Sequence, residues 1–154
     1  MKRVLLKSVH DAIDYVLAHY TPYGLEELAQ AKDSYAVISL QDAQTEGGFG
    51  LVFTETAYCD EVLTLYVDDV EKETEGAVLF SPDHARQVIE FIERNRDVDT
   101  LLVHCYAGQS RSRAVAAFAV KMLGADNAAY FASGCPNRRI YDTLVEEFLK
   151  RKDS

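Results

Sequence analysis

Three short stretches of the chain are apolar and rich in β-branched or aromatic residues. They are 34–40 (SYAVISL), 61–67 (EVLTLYV) and 100–104 (TLLVH), and each predicts a strand. The third is apolar without a break, which predicts a central strand covered on both faces. Between and after them the pattern changes to a helical period. Ser81-Pro82-Asp83 reads as a helix start, with an N-cap serine, proline at the first helical position and an acid behind it. Ala85, Val88, Ile89 and Ile92 follow at helical spacing. Residues 111–123 (RSRAVAAFAVKML) are alanine-rich and apolar on most faces, which predicts a buried helix that Gly124 stops. A last helix shows Ile140, Leu144, Val145, Phe148 and Leu149 on one face, and Lys150-Arg151-Lys152 suit its C-terminal dipole. Strands alternating with helices predict an α/β fold with a central, mostly parallel sheet flanked by helices.

The rest of the chain is less telling. Gly47-Gly48-Phe49-Gly50 reads as a connection between strands, or as a loop that closes over a site. The first 30 residues read only as a helical or mixed packing element. There is no internal repeat, low-complexity tract or linker. With 154 residues the chain fits a single domain over 1–154, large enough to fold without metal or disulfide staples.

Composition narrows the function. Sixteen Lys and Arg against 25 Asp and Glu give a net charge of −9, which disfavours nucleic acid or an anionic membrane as a partner. No apolar run approaches a membrane span. The apolar stretch after Lys2-Arg3 ends at Lys7, too short for a secretory signal, so a cytoplasmic location is expected. Cys59, Cys105 and Cys135 form no CxxC pair, which argues against a zinc knuckle, a dithiol motif or a disulfide scaffold. His10, His19 and His84 lack ligand spacing and read as surface or capping residues. No metal and no cofactor is called for.

The chemistry concentrates in His104-Cys105-Tyr106-Ala107-Gly108-Gln109-Ser110-Arg111-Ser112. A predicted strand ends at Cys105 and a predicted helix begins near Arg111, so a five-residue loop lies between them. The amides of Tyr106, Ala107, Gly108, Gln109 and Ser110 and of the first helical turn have no intrahelical partner and make an anion cradle, which the helix dipole reinforces. Gly108 frees the backbone to turn. Arg111 offers a planar fork for two phosphate oxygens. In that field Cys105 is expected as a thiolate, a nucleophile for phosphoryl transfer. Ser112 can offer it a hydroxyl, and His104 orients the loop. The bland alternative is an inert strand-end thiol. At average composition, however, HCxxGxxR arises by chance in a chain this long on the order of once in ten thousand.

His-Cys-x5-Arg-Ser resembles the signature of the cysteine-dependent protein tyrosine phosphatases. Gly108-Gln109-Ser110-Arg111-Ser112 looks like their compact dual-specificity branch and its small bacterial relatives. The resemblance extends over residues 30 to 150 and implies the cysteine-phosphatase fold, a phosphocysteine on Cys105, and phosphate held by Arg111 and the loop amides. It also implies an aspartate general acid on a separate loop, some thirty-odd residues before the cysteine. Leu65-Tyr66-Val67-Asp68-Asp69-Val70 fits, with Asp69 favoured and Asp68 the runner-up. As an alternative, both are solvated turn aspartates. Glu71-Lys72-Glu73-Thr74-Glu75-Gly76 makes this segment polar, as suits an acid that closes over substrate. Asn137 reads as the cap of the last helix, within a Pro-Asn pair the family often carries, and Arg138 or Arg139 are candidates for substrate anions. Cys59 and Cys135 read as buried thiols, or as partners of Cys105 under oxidation.

The neutral side chains of Tyr106, Ala107, Gln109 and Ser110 favour a singly phosphorylated group over an inositol phosphate. The expected substrate is a phosphorylated protein, phosphotyrosine first and phosphoserine or phosphothreonine second. The rivals are an RNA 5′-triphosphatase, which the acidic charge disfavours, a sulfurtransferase or arsenate reductase, which the five-residue gap and Ser112 fit less well, and a phosphate-binding module without turnover.

Overall fold

The apolar runs 34–40 and 100–104 form the middle of the sheet, and the run 61–67 forms one edge. The computed structural model describes residues 1–21, 24–26, 33–43 and 53–152. In chain order the described elements are β1 (Arg3–Lys7), α1 (Val9–Tyr20), β2 (Tyr35–Gln41), β3 (Cys59–Tyr66), α2 (Pro82–Arg94), β4 (Thr100–His104), α3 (Arg111–Met122), α4 (Ala128–Ala132) and α5 (Arg138–Lys152). The four strands lie in the order β1-β4-β2-β3, and all are parallel. The expected α/β architecture is thus observed. Strands β2 and β4 are buried along their whole length, and β1 and β3 form the edges.

Side-chain alternation divides the core. Ala36, Ile38, Leu40, Leu101 and Val103 pack with Val88, Ile89 and Ile92 of α2, Val115 and Phe118 of α3, and Ile140 and Leu144 of α5. Tyr35, Val37 and Leu102 face the other way, against Ala12 and Tyr20 of α1. One strand period therefore fills two apolar layers and leaves all four C-terminal strand ends pointing to one edge. In such sheets the crevice outside the strand ends is where ligands bind.

The helix ends follow the residues that predicted them. The Ser81 hydroxyl accepts from His84 N at 3.4 Å, and His84 Nδ1 accepts from Ser81 N at 3.0 Å, a reciprocal cap. Gly124 has φ +87° after α3. Asn137 Oδ1 accepts from Ile140 N at 3.0 Å in the first turn of α5, so Asn137 caps that helix.

The N-terminal segment, expected to be helical or mixed, holds both β1 and α1. In α1, Val9, Ala12 and Tyr20 are buried behind the N-cap Ser8, whose hydroxyl accepts from Asp11 N at 3.1 Å. The short α4 was not expected at all. Cys59 is buried as expected, but Cys135 is exposed, because it sits in the turn between α4 and α5 rather than on a packed face. The Gly47-Gly48-Phe49-Gly50 segment lies outside the described residues. Among the described residues no helix is long and apolar enough to cross a membrane.

Candidate active site

The loop joining β4 to α3 is seated on the start of the chain. Tyr106 O accepts from Val9 N at 3.0 Å. Gly108 has φ +72°, and a Cβ there would lie 2.9 Å from Lys7 C and from Ser8 N, both main-chain atoms. Glycine is thus required twice, for the left-handed backbone and for the close approach to the end of β1. The side chains of Tyr106, Ala107 and Gln109 are exposed. Tyr106 is 57% exposed and meets His10 edge to face, with ring centroids 6.4 Å apart. The Gln109 carbonyl accepts from Arg113 Nη2 at 3.4 Å.

Cys105 is buried at the first position of this loop. Its sulfur lies 3.0 Å from Ser112 Oγ, and Gly108 N donates to it at 3.3 Å. Helix α3 begins at Arg111, so the helix start points at the loop. The Arg111 guanidinium is buried too, and its Nη1 donates to Asp42 Oδ1 at 2.6 Å and to Val67 O at 3.0 Å. A buried guanidinium needs such a partner, since an unpaired one carries a large desolvation penalty. Among the described residues, Nε and Nη2 of Arg111 make no hydrogen bond, and they are the edge left for a ligand.

Asp42 is a residue the sequence did not single out. It is the first residue after β2, at the same sheet edge as the loop. An acid just past a strand end is the only signal of it, and such acids are usually turn residues.

The two aspartates after β3 separate cleanly. Asp68 is buried, and both its oxygens are taken by main chain: Oδ1 accepts from Ala43 N at 3.1 Å and Oδ2 from Val78 N at 2.7 Å. It ties its own loop together. Asp69 is exposed and reaches the cysteine loop, where its Oδ1 accepts from Ser110 Oγ at 2.7 Å and from Asn137 Nδ2 at 2.9 Å. Ser110, at the head of α3, gives its side chain to Asp69 rather than to a helix cap. Asn137 also donates to Val70 O at 3.2 Å, so one residue caps α5 and holds the aspartate loop.

His104 is fully buried. Its Nδ1 lies 3.1 Å from Cys105 O, and its Nε2 lies 2.7 Å from Ser39 Oγ. Burial, reinforced by the nearby Arg111 charge, holds its pKa below the ordinary histidine value even though the bond to Cys105 O works the other way. Asp69, Glu71, Gln109, Ser110, Gly134 and Cys135 line an open hollow of about 540 Å³ beside the loop that follows β3. Arg138 and Arg139 stand outside it and line a neighbouring cleft with Glu71 and Lys72. Arg138 Nη2 pairs with Asp142 at 3.0 Å, and Arg139 Nε donates to Phe80 O at 3.3 Å.

No family sequence model matches the chain, and no curated protein matches it by sequence. Solved structures do match by shape. Human DUSP28 aligns over 100% of this chain and 97% of its own, with a TM-score of 0.56 and 20% identity. DUSP15 aligns over 95% and 83%, with a TM-score of 0.57 and 19% identity. A human tyrosine phosphatase-like serine/threonine/tyrosine-interacting protein aligns over 89% of both chains, with a TM-score of 0.54 and 19% identity. The parallel sheet, its flanking helices and these neighbours agree: the chain has the fold of the cysteine-dependent, dual-specificity type of phosphatases.

Proposed function

We propose that the protein is a phosphatase that hydrolyses phosphomonoesters of proteins, phosphotyrosine first, through a phosphocysteine on Cys105. The supporting observation is the meeting of three groups at one loop. The Cys105 sulfur faces Ser112 and the Gly108 amide, Arg111 is clamped by Asp42 and Val67 with its other edge open, and Asp69 reaches over from the β3 side.

The chemistry follows from the donors and acceptors. The thiolate accepts from the Ser112 hydroxyl and the Gly108 amide, and attacks phosphorus. Arg111 Nε and Nη2, with the loop amides, hold the equatorial oxygens as charge spreads over them. Asp69 gives its proton to the leaving oxygen. Because Oδ1 already accepts from Ser110 and Asn137, that proton is carried on Oδ2. In the second half, Asp69 takes a proton from water, the water oxygen attacks phosphorus, the S–P bond breaks, and phosphate leaves with the thiolate restored. Ser112 stabilises the sulfur as it departs. Asp68 holds the loop that carries Asp69.

The neutral loop side chains support a singly phosphorylated substrate. DUSP15 and DUSP28 support the dual-specificity class as far as a shared fold goes. The test is hydrolysis of para-nitrophenyl phosphate against pH with EDTA present, for wild type and Cys105→Ser. A bell-shaped profile that survives EDTA and vanishes in Cys105→Ser is expected. Equal turnover by Cys105→Ser refutes the assignment, and vanadate binding without turnover moves the protein to a phosphate-binding module.

A further inference from the structure

Strand β2 is buried along its whole length yet carries two polar side chains, Ser39 and Gln41. Buried polar groups are kept where they are hydrogen-bonded. The strand register sets Ser39 opposite His104 of β4. Gln41 Nε2 donates to Ser39 Oγ at 3.1 Å, Ser39 Oγ meets His104 Nε2 at 2.7 Å, and His104 Nδ1 meets Cys105 O at 3.1 Å. The two ends fix the direction of every bond. The amide nitrogen only donates and the carbonyl only accepts. On a neutral ring the imidazole proton therefore sits on Nδ1, and the Ser39 proton points at Nε2. Among the groups facing the ring are Ser39, the Cys105 carbonyl, Phe53 at 5.1 Å between ring centroids, and the Arg111 charge. Burial and the Arg111 charge favour a neutral imidazole.

The consequence lies one bond further on. The peptide joining Cys105 to Tyr106 is planar and trans. A carbonyl drawn toward His104 turns the Tyr106 N–H to the side opposite His104. We propose that Gln41, Ser39 and His104 form a one-directional hydrogen-bond relay that aims the first amide of the anion cradle. Ser39 and Gln41 are then positioning residues, acting on the bound phosphoryl group through His104 and the 105–106 peptide. The proposal rests on the phosphatase reading for the nature of the anion.

The test compares Ser39→Thr with Ser39→Val, which match in size and differ by a hydroxyl against a methyl. Two quantities are read on each protein: the His104 tautomer by nitrogen-15 NMR, and tungstate affinity by calorimetry. Wild type and Ser39→Thr are expected to hold His104 as the neutral Nδ1–H form and to bind tungstate alike. Ser39→Val is expected to populate the Nε2–H form and to bind tungstate about fivefold to tenfold more weakly, the effect of one hydrogen bond. An Nε2–H or charged His104 in wild type at neutral pH overturns the relay, as does equal tungstate affinity in Ser39→Thr and Ser39→Val. If neither variant folds, Gln41→Met removes the first donor at similar volume, and wild-type affinity there overturns it equally. Tungstate binding by wild type without turnover defeats the hydrolytic reading and leaves the relay to be judged on the variants. A wild type that does not bind tungstate refutes the cradle and the relay together.

Discussion

Gly108→Ala should damage the protein through two separable effects. The φ of +72° puts an alanine in the left-handed region, which costs about 1 kcal/mol. The added methyl would also meet Lys7 C and Ser8 N at 2.9 Å and Lys7 O at 3.0 Å. These are main-chain atoms at the end of β1, so no rotamer change relieves them, and the overpacking adds roughly 1–3 kcal/mol. Gly124 supplies the internal control. Its φ is +87° with nothing within 4 Å of the same methyl, so Gly124→Ala carries the backbone effect alone. At about 2–4 °C per kcal/mol for a chain of this size, Gly124→Ala should lower Tm by roughly 2–4 °C and Gly108→Ala by roughly 5–15 °C. Gly108→Ala should also lower kcat/KM on aryl phosphate, because the loop that must shift carries the amide donating to Cys105. Thermal melts of the two variants and wild type, followed by steady-state kinetics, decide it. Equal Tm losses in the two variants would refute the close-approach argument.

Three further outcomes are expected. Asp42→Ala frees the Arg111 guanidinium from its 2.6 Å partner and should lower kcat/KM about tenfold, or about 1.4 kcal/mol, whereas unchanged or higher kcat/KM would show that Asp42 competes with substrate instead of holding Arg111. Burial pushes the Cys59 thiol up to about 11, and Cys135 is exposed, so mass spectrometry after brief iodoacetamide treatment at neutral pH should find Cys135 alkylated and Cys59 untouched; the reverse order would refute the burial assignment. Burial also holds the imidazoles of His104 and His84 below the ordinary value of about 6.5. The unfolded chain therefore binds protons that the folded chain refuses, so stability is fully present above that value and falls as pH drops through it. A urea midpoint that stays flat from pH 7.5 to 5.5 would contradict this.

Much of the site was legible because its residues are consecutive. His104 to Ser112 spans one strand end, one loop and one helix start, and local rules link those parts directly. The central strands were legible as well, since burial on both faces leaves apolar runs that flanking charges do not interrupt. Strand β1 was not, because an edge strand of five residues with Arg3 and Lys7 at its ends gives little pattern. Helix α1 did leave a signal: Val9, Ala12, Ile13, Val16, Leu17 and Tyr20 keep helical spacing behind Ser8. The roles of Asp42, Ser39 and Gln41 depend on strand order and register, which bring β2 beside β4 from 65 residues away. The choice between Asp68 and Asp69 turns on which neighbour faces inward, and adjacent residues in a loop look alike in sequence.

The phosphocysteine is the central claim, and rapid acid quenching tests it most directly. Wild-type protein mixed with a labelled aryl phosphate and quenched within the first turnover should carry one phosphoryl group on Cys105, mapped by peptide mass spectrometry. The adduct should be absent from Cys105→Ser and should accumulate in Asp69→Asn when the leaving group is good enough to depart without a proton. Turnover with no phosphoryl adduct, or an adduct on any residue other than Cys105, would contradict the phosphocysteine mechanism.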